Sequence, residues 1–282
     1  MPGGTSVGAV HLAVSDLERS LAYYQGVLGM AVIDRSTGTA RLSAPGDLEP
    51  LIVLSETPGA RPVPRRGRLG LYHFAILLPD RRALGQFVRH VTERGLRPGM
   101  SDHLVSEALY LTDPDGLGIE VYADRPRDRW RSAGGQLVMA IDPLDLEDLA
   151  RAAGGKLWTG MPAGTRMGHV HLHVGDLVEA ERFYHDALGF DKIAWSYPGA
   201  LFLSAGGYHH HLGTNVWATG ATAPEAGEAH LREWTLVLPD ARDVTAAATS
   251  LDHAGYSLVR DARGVVTHDP WGTQLALRSS TR

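Results

Sequence analysis

The chain has no cysteine among its 282 residues. That absence removes disulfides, thiolate metal ligands and cysteine nucleophiles together, and leaves imidazole and carboxylate as the strong ligands on offer. No stretch approaches the roughly 20 consecutive apolar residues of a membrane-spanning helix, so no membrane partner is expected. The opening Met1-Pro-Gly-Gly-Thr-Ser6 shows neither the basic nor the apolar region of a secretion signal, and a soluble, cytoplasmic protein is the expectation. Charge of one sign is lacking as well. The 27 Lys and Arg stand against 32 Asp and Glu for a net charge of -5, with no broad basic face for nucleic acid. The one dense basic cluster, Asp124-Arg-Pro-Arg-Asp-Arg-Trp-Arg131, is interrupted by Asp and Pro and reads as part of an interdomain connection. A hydrophobic share of 44% is enough to fill two cores of ordinary size.

One stretch is written twice. Gly8-Ala-Val-His11-Leu-Ala-Val-Ser-Asp16-Leu17 returns as Gly168-His-Val-His171-Leu-His-Val-Gly-Asp176-Leu177. The repeat resumes where Leu78-Pro79-Asp80 matches Leu238-Pro239-Asp240 and Asp113-Pro114-Asp115-Gly116 matches Asp269-Pro270-Trp271-Gly272. A duplicated half is the physical reading. Within each half, two smaller units share one plan. Val10 to Val14 alternates as a strand does, Asp16 can cap a helix, and Leu17, Leu21, Tyr24 and Leu28 recur at helical spacing up to Gly29. Tyr72 to Leu78 repeats the strand, a helix is predicted from about Arg82 to Arg94, and strands follow through Ala108 to Tyr110 and Ile119 to Tyr122. Units three and four span 168–216 and 230–280. The reading gives domains at 1–124 and 167–282 joined by 125–166, the connection holding a predicted strand (Gln136 to Ile141) and helix (Leu144 to Ala153). Where the copies differ, His73 faces Glu233 and Glu120 faces Ala276.

Four strand-helix-strand units, a first-strand His, and Asp113-Pro-Asp-Gly116 leading into Gly118-Ile-Glu120 resemble the vicinal oxygen chelate superfamily of glyoxalases, fosfomycin-resistance enzymes, bleomycin-binding proteins and extradiol dioxygenases. More narrowly, Leu71 to Pro79, Ser101-Asp-His103, Leu109-Tyr110 to Glu120, and Gly206-Gly-Tyr-His-His-His-Leu-Gly213 look like the two-domain catechol 2,3-dioxygenase type. The resemblance implies an α+β fold of two domains built from four βαβββ units as paired barrels. In extradiol dioxygenases an active-site Tyr lies ten residues before the metal-binding Glu, a spacing that Tyr110 and Glu120 keep. A further His usually precedes that Tyr; His103 is the nearest candidate, although not at the customary offset.

A non-haem Fe(II) oxygenase needs two neutral imidazoles and one carboxylate on one face of the metal, leaving adjacent positions open. Singly, His73 reads as a core histidine and Glu120 as a strand-end surface residue. Their joint placement at positions the superfamily uses for metal favours ligands. For the third ligand, His11 would close the site within the first half, and His171 would close it across the halves. His171 is preferred, because its strand carries His169, His171 and His173 on one face by the two-residue period and its unit also brings His209-His210-His211. Pairing unit two with unit three would gather these groups into one cavity. At most two of the three consecutive histidines can face it, and the resemblance assigns acid/base work to His210, with His211 next. Phe202, Trp217 and Tyr208 are candidates for an apolar wall. The implied activity is ring cleavage of catechol or a substituted catechol by dioxygen with Fe(II), Mn(II) suiting the same ligands. Tyr110 and His103 would serve as hydrogen-bond donors. Homo-oligomerisation is expected from common practice among soluble enzymes alone. A metal-dependent glyoxalase-type lyase or thiol transferase and a drug-binding protein without catalysis stay open as rivals.

Overall fold

In the computed structural model, which describes residues 1–65 and 67–280, unit one comprises β1 (Ser6–Val14), α1 (Leu17–Gly26), β2 (Ala31–Ser36), β3 (Thr39–Ser43) and β4 (Ile52–Glu56). Unit two follows as β5 (Gly70–Leu77), α2 (Arg81–Glu93), β6 (Gly99–Asp102), β7 (Ser106–Thr112) and β8 (Gly118–Asp124). The connection holds a two-residue hairpin, β9 (Ser132–Ala133) with β10 (Gln136–Leu137), and then α3 (Leu146–Ala152). Unit three is β11 (Arg166–His173), α4 (Leu177–Ala180) continuing as a wider turn to Ala187, β12 (Asp191–Ala194), β13 (Ala200–Ser204) and β14 (Leu212–Asn215). Unit four is β15 (His230–Leu238), α5 (Ala241–His253), β16 (Leu258–Asp261), β17 (Gly264–His268) and β18 (Gln274–Ser279).

Each unit's long helix begins at an aspartate. Asp16, Asp80, Asp176 and Asp240 all accept a backbone N–H from the first turn, a cap worth about 1 kcal/mol. The predicted strand in the connection forms only at Gln136–Leu137. The chain beyond it is drawn instead onto the edge of β6, where Ala140 N donates to His103 O and Asp102 and Asp142 exchange backbone hydrogen bonds.

Two curled eight-stranded sheets result, in the orders β16-β17-β18-β15-β1-β4-β3-β2 and β12-β13-β14-β11-β5-β8-β7-β6. Each draws one unit from each half of the sequence: unit one pairs with unit four through β1 and β15, and unit two with unit three through β5 and β11. Alternation along the strands gives each sheet two unlike faces. On β11, Val170 and Leu172 join one large apolar core together with Phe74, Trp234 and Tyr184, each such burial contributing about 1.5–3 kcal/mol. His169, His171 and His173 point the other way, into the concavity of the second sheet.

Candidate metal centre

Strand register builds the site in two rows. Across β7, β8, β5 and β11 the first row reads Tyr110, Glu120, Ala75, His169, all directly opposite one another. The small Ala75 leaves space above it for the Glu120 and His169 side chains to converge. Two residues back along β5, the second row reads His73, His171, Gly213, Phe202 across β5, β11, β14 and β13. Glycine is required in that row, since a Cβ at Gly213 would lie 2.9 Å from the His171 ring.

His73, Glu120 and His169 offer ligand atoms that all lie within 4.8 Å of one another, and all three residues are buried. His73 Nε2 and His169 Nε2 approach the same oxygen, Glu120 Oε2, at 3.0 and 3.2 Å. The contact from His73 is off-axis and makes no hydrogen bond, so its Nε2 is left without a partner, as is His169 Nδ1. Buried nitrogens seldom go unpaired. One carboxylate oxygen that accepts from His169 Nε2 and has the unpaired His73 Nε2 beside it is an arrangement that a cation takes over once the His169 proton leaves. Electrostatics agrees. Burial pushes the His169 imidazole down to about 4, against the opposing pull of Glu120. Burial also opposes ionisation of Glu120, but the adjoining His169 and His73 more than offset it and hold the carboxyl well below its usual range. A neutral imidazole and an ionised carboxylate are the protonation states a first-row divalent metal requires, so the residues present fit such an ion.

The other predicted residues fall on both sides of the boundary. His171 lines the same cavity, but its Nε2 accepts from Asn215 Nδ2 at 3.0 Å. Asn215 cannot turn over, because its Oδ1 accepts from Trp217 N at 3.0 Å, and His171 stands outside the converging group. His11 lies in the other sheet, bonded through Nε2 to Ser55 Oγ at 2.7 Å. The second imidazole of the converging group is His169, two residues earlier on the strand that carries His171. Two signals in the sequence point to it. His169 stands seven residues before the capping Asp176, as His73 stands before Asp80, and its counterpart in the repeat is Ala9, whereas His171 has a counterpart in His11.

The cavity of about 390 Å3 is lined by His210, Tyr110, His103, Phe202 and Trp217 as well as the converging group. Burial, reinforced by the surrounding imidazoles of His169 and His209, holds His210 neutral. Tyr110 is kept a phenol by burial and by the charge of Glu120, which raise it well above its ordinary value. His103 Nδ1 donates to Ala140 O at 2.6 Å, which leaves Nε2 to accept from the Tyr110 hydroxyl at 2.5 Å. His211, in the bend that precedes β14, points away from this cavity, its Nδ1 meeting Ser204 Oγ at 3.0 Å and Ala205 N at 3.2 Å. Tyr208 also lies outside, bonded to Tyr122 and Asp124. The reading from sequence did not anticipate that the connection contributes Met139, Ala140 and Ile141 to the cavity. Nothing in its composition says which sheet edge it will cover.

The chain matches the family model described as Glyoxalase/Bleomycin resistance protein/Dioxygenase superfamily over residues 6–121 and 166–274. It is 46% identical over 270 residues to a Bacillus subtilis (strain 168) protein named catechol-2,3-dioxygenase, covering 94% of each. Solved structures with the same fold include a protein from Bacillus subtilis subsp. subtilis str. 168 (TM-score 0.67, 11% identity, 98% of this chain and 86% of that one). Another is glyoxalase I from Zea mays (TM-score 0.58, 18% identity, 99% and 93%). Matched in both halves and along nearly its whole length, the chain belongs to the glyoxalase/bleomycin resistance protein/dioxygenase superfamily.

Proposed function

We propose that the chain is an Fe(II)-dependent extradiol dioxygenase that opens the ring of catechol or a substituted catechol beside its two hydroxyls, with His73, His169 and Glu120 as the metal ligands. The observation that carries this reading is the convergence of two buried imidazoles, one of them with its Nε2 unpaired, on one buried carboxylate, in the wall of a ring-sized cavity that also holds a neutral imidazole and a neutral phenol. The relative named catechol-2,3-dioxygenase supports it. Bound Fe(II) would supply a Lewis acid for two vicinal oxygens and a path for electrons from the diol to dioxygen.

The protein's own groups have separable tasks. His210, neutral and lining the cavity, is placed to take a hydroxyl proton from the diol. The Tyr110 hydroxyl, which donates to His103 Nε2, would turn that hydrogen toward a substrate oxygen as negative charge grows there. Phe202, Trp217 and Met139 enclose the ring and keep water from it. Both atoms of dioxygen end in the product, a muconic semialdehyde.

Anaerobic loading with Fe(II), and separately with Mn(II), followed by catechol and air, tests the reading. The expected result is a yellow product and uptake of about one dioxygen per catechol with iron. Absence of oxygen uptake with both metals would overturn it, and activity with manganese alone would reassign the metal.

A further inference from the structure

Behind the cavity lies a partly buried chain of hydrogen bonds that ligand binding does not require. Asp124 Oδ1 is 2.9 Å from His209 Nε2 and accepts from the Tyr208 hydroxyl at 3.1 Å. His209 Nδ1 is 2.8 Å from His210 Nδ1, and the Tyr208 and Tyr122 hydroxyls are 2.7 Å apart. An ionised carboxylate has no proton to give, so it fixes the direction of every bond in the chain. His209 Nε2 must carry hydrogen toward Asp124. In a neutral ring its Nδ1 is then a bare lone pair, which only His210 Nδ1–H can satisfy. The hydrogen on His210 is thereby committed to Nδ1, and Nε2 is the nitrogen left bare.

The surroundings hold this arrangement in place. His209 is fully buried, with the rings of Tyr208 and Trp130 at 4.1 and 5.4 Å between centroids. Gly168 on β11 makes room for the far end of the chain, because a Cβ there would lie 1.9 Å from the Tyr122 hydroxyl. The repeat lacks the device in its other copy. Unit one has no histidine in Glu49-Pro50-Leu51, the stretch matching His209 to His211, and Ser280 stands where the repeat places Asp124.

We infer that Asp124 and His209 are positioning residues that lock His210 in its Nδ1–H tautomer, so that a bare Nε2 meets the substrate. The identity of that substrate, a diol whose hydroxyl proton moves to Nε2 while the electron pair stays on oxygen, rests on the ring-cleavage reading. The tautomer does not. Asp124 acts through His209, and neither residue needs to touch the ring.

Side-chain 1H–15N spectra of the full-length, histidine-labelled, metal-free protein read the tautomer directly. The His210 signals are assigned by their loss in His210→Gln. The expected wild-type result is a protonated Nδ1 and bare Nε2 on His210. Asp124→Asn, which keeps the shape but lets the side chain donate, mixes or inverts the tautomer. His209→Phe, which keeps a ring but removes both nitrogens, releases it. In the iron-loaded enzyme both variants lower kcat on the order of 10- to 100-fold, with KM and bound iron within about twofold, and Asp124→Glu recovers part of the rate. A wild-type His210 protonated at Nε2, or an unchanged tautomer in Asp124→Asn, would overturn the inference. If the expected tautomer and its loss are seen while the wild type cleaves no diol, the positioning role stands and the ring-cleavage reading fails.

Discussion

The two eight-stranded sheets share a strand plan and differ in what their concave faces carry. In one, the rows read Tyr110, Glu120, Ala75, His169 and His73, His171, Gly213, Phe202. In the other, the matching rows hold Val266, Ala276 and Thr235, with Ala9 at the repeat position of His169, and then Glu233, His11, Val53, Arg41. Polar groups of the second set close on neighbours: Gln274 Nε2 donates to Glu233 at 2.6 Å, and His11 meets Ser55. In the first set, His73 Nε2 and His169 Nδ1 have no such partner. The apolar face of each sheet is fixed by the core it must fill, whereas the concave face is free either to satisfy itself or to stay open toward a ligand. A polar row left unsatisfied inside a buried sheet is what marks the site.

The largest expected break in this comparison is loss of a ligand. Glu120→Ala and His169→Ala should each cut bound iron and ring cleavage by at least about 100-fold, since even outer partners of a metal cost 10- to 100-fold. Glu233→Ala and His11→Ala, at matching places in the other sheet, should leave both within about twofold. Metal analysis and the rate of yellow colour formation decide it, and equal losses in the two sheets would remove the asymmetry on which the site rests. His171→Ala sharpens the same point. It should keep its iron, whereas a loss as severe as that of His169→Ala would return His171 to the ligand set.

What the sheets share is tested by a matched pair. Tyr24 donates to Asp113 at 3.2 Å, and Tyr184 donates to Asp269 at 2.9 Å. In both places the buried aspartate also accepts backbone N–H groups of its own turn. Tyr24→Phe and Tyr184→Phe should therefore destabilise alike, by about 1–3 kcal/mol in urea unfolding, without loss of metal. A cost confined to one of them would mean that the repeated clamp has lost its role in one half.

The smallest effect concerns pH. Burial first, then the nearby His209 and His169 imidazoles, push His211 down to about 3, whereas an unfolded histidine titrates near 6.5. A depressed folded value means that the associated stability is whole above pH 6.5 and is lost as pH falls toward 3. Between pH 7.5 and 5.5 the loss from this residue is about 1.4 kcal/mol. His211→Asn should flatten the urea midpoint over that interval by the corresponding amount, and an unchanged slope would assign the acid sensitivity to other groups.

The duplication, the alternating strands, the aspartate-capped helices and the pair His73 and Glu120 were legible in the sequence, because each depends on spacing along the chain or on comparing one copy with the other. So was Tyr110, ten residues from Glu120. Alternation placed His169, His171 and His173 on one face, and no local rule chooses among residues that share a face. That choice fell to the register between β5 and β11, which sets His169 opposite Ala75 and within reach of Glu120, while Asn215 on β14 takes the Nε2 of His171. Likewise, the connection looked like a linker until its course along β6 brought Ala140 to His103 and Met139 into the cavity. Periodicity is a property of a single strand and is written in order along it. Which nitrogen meets which oxygen depends on partners some forty to fifty residues away, and only the folded sheet brings them together.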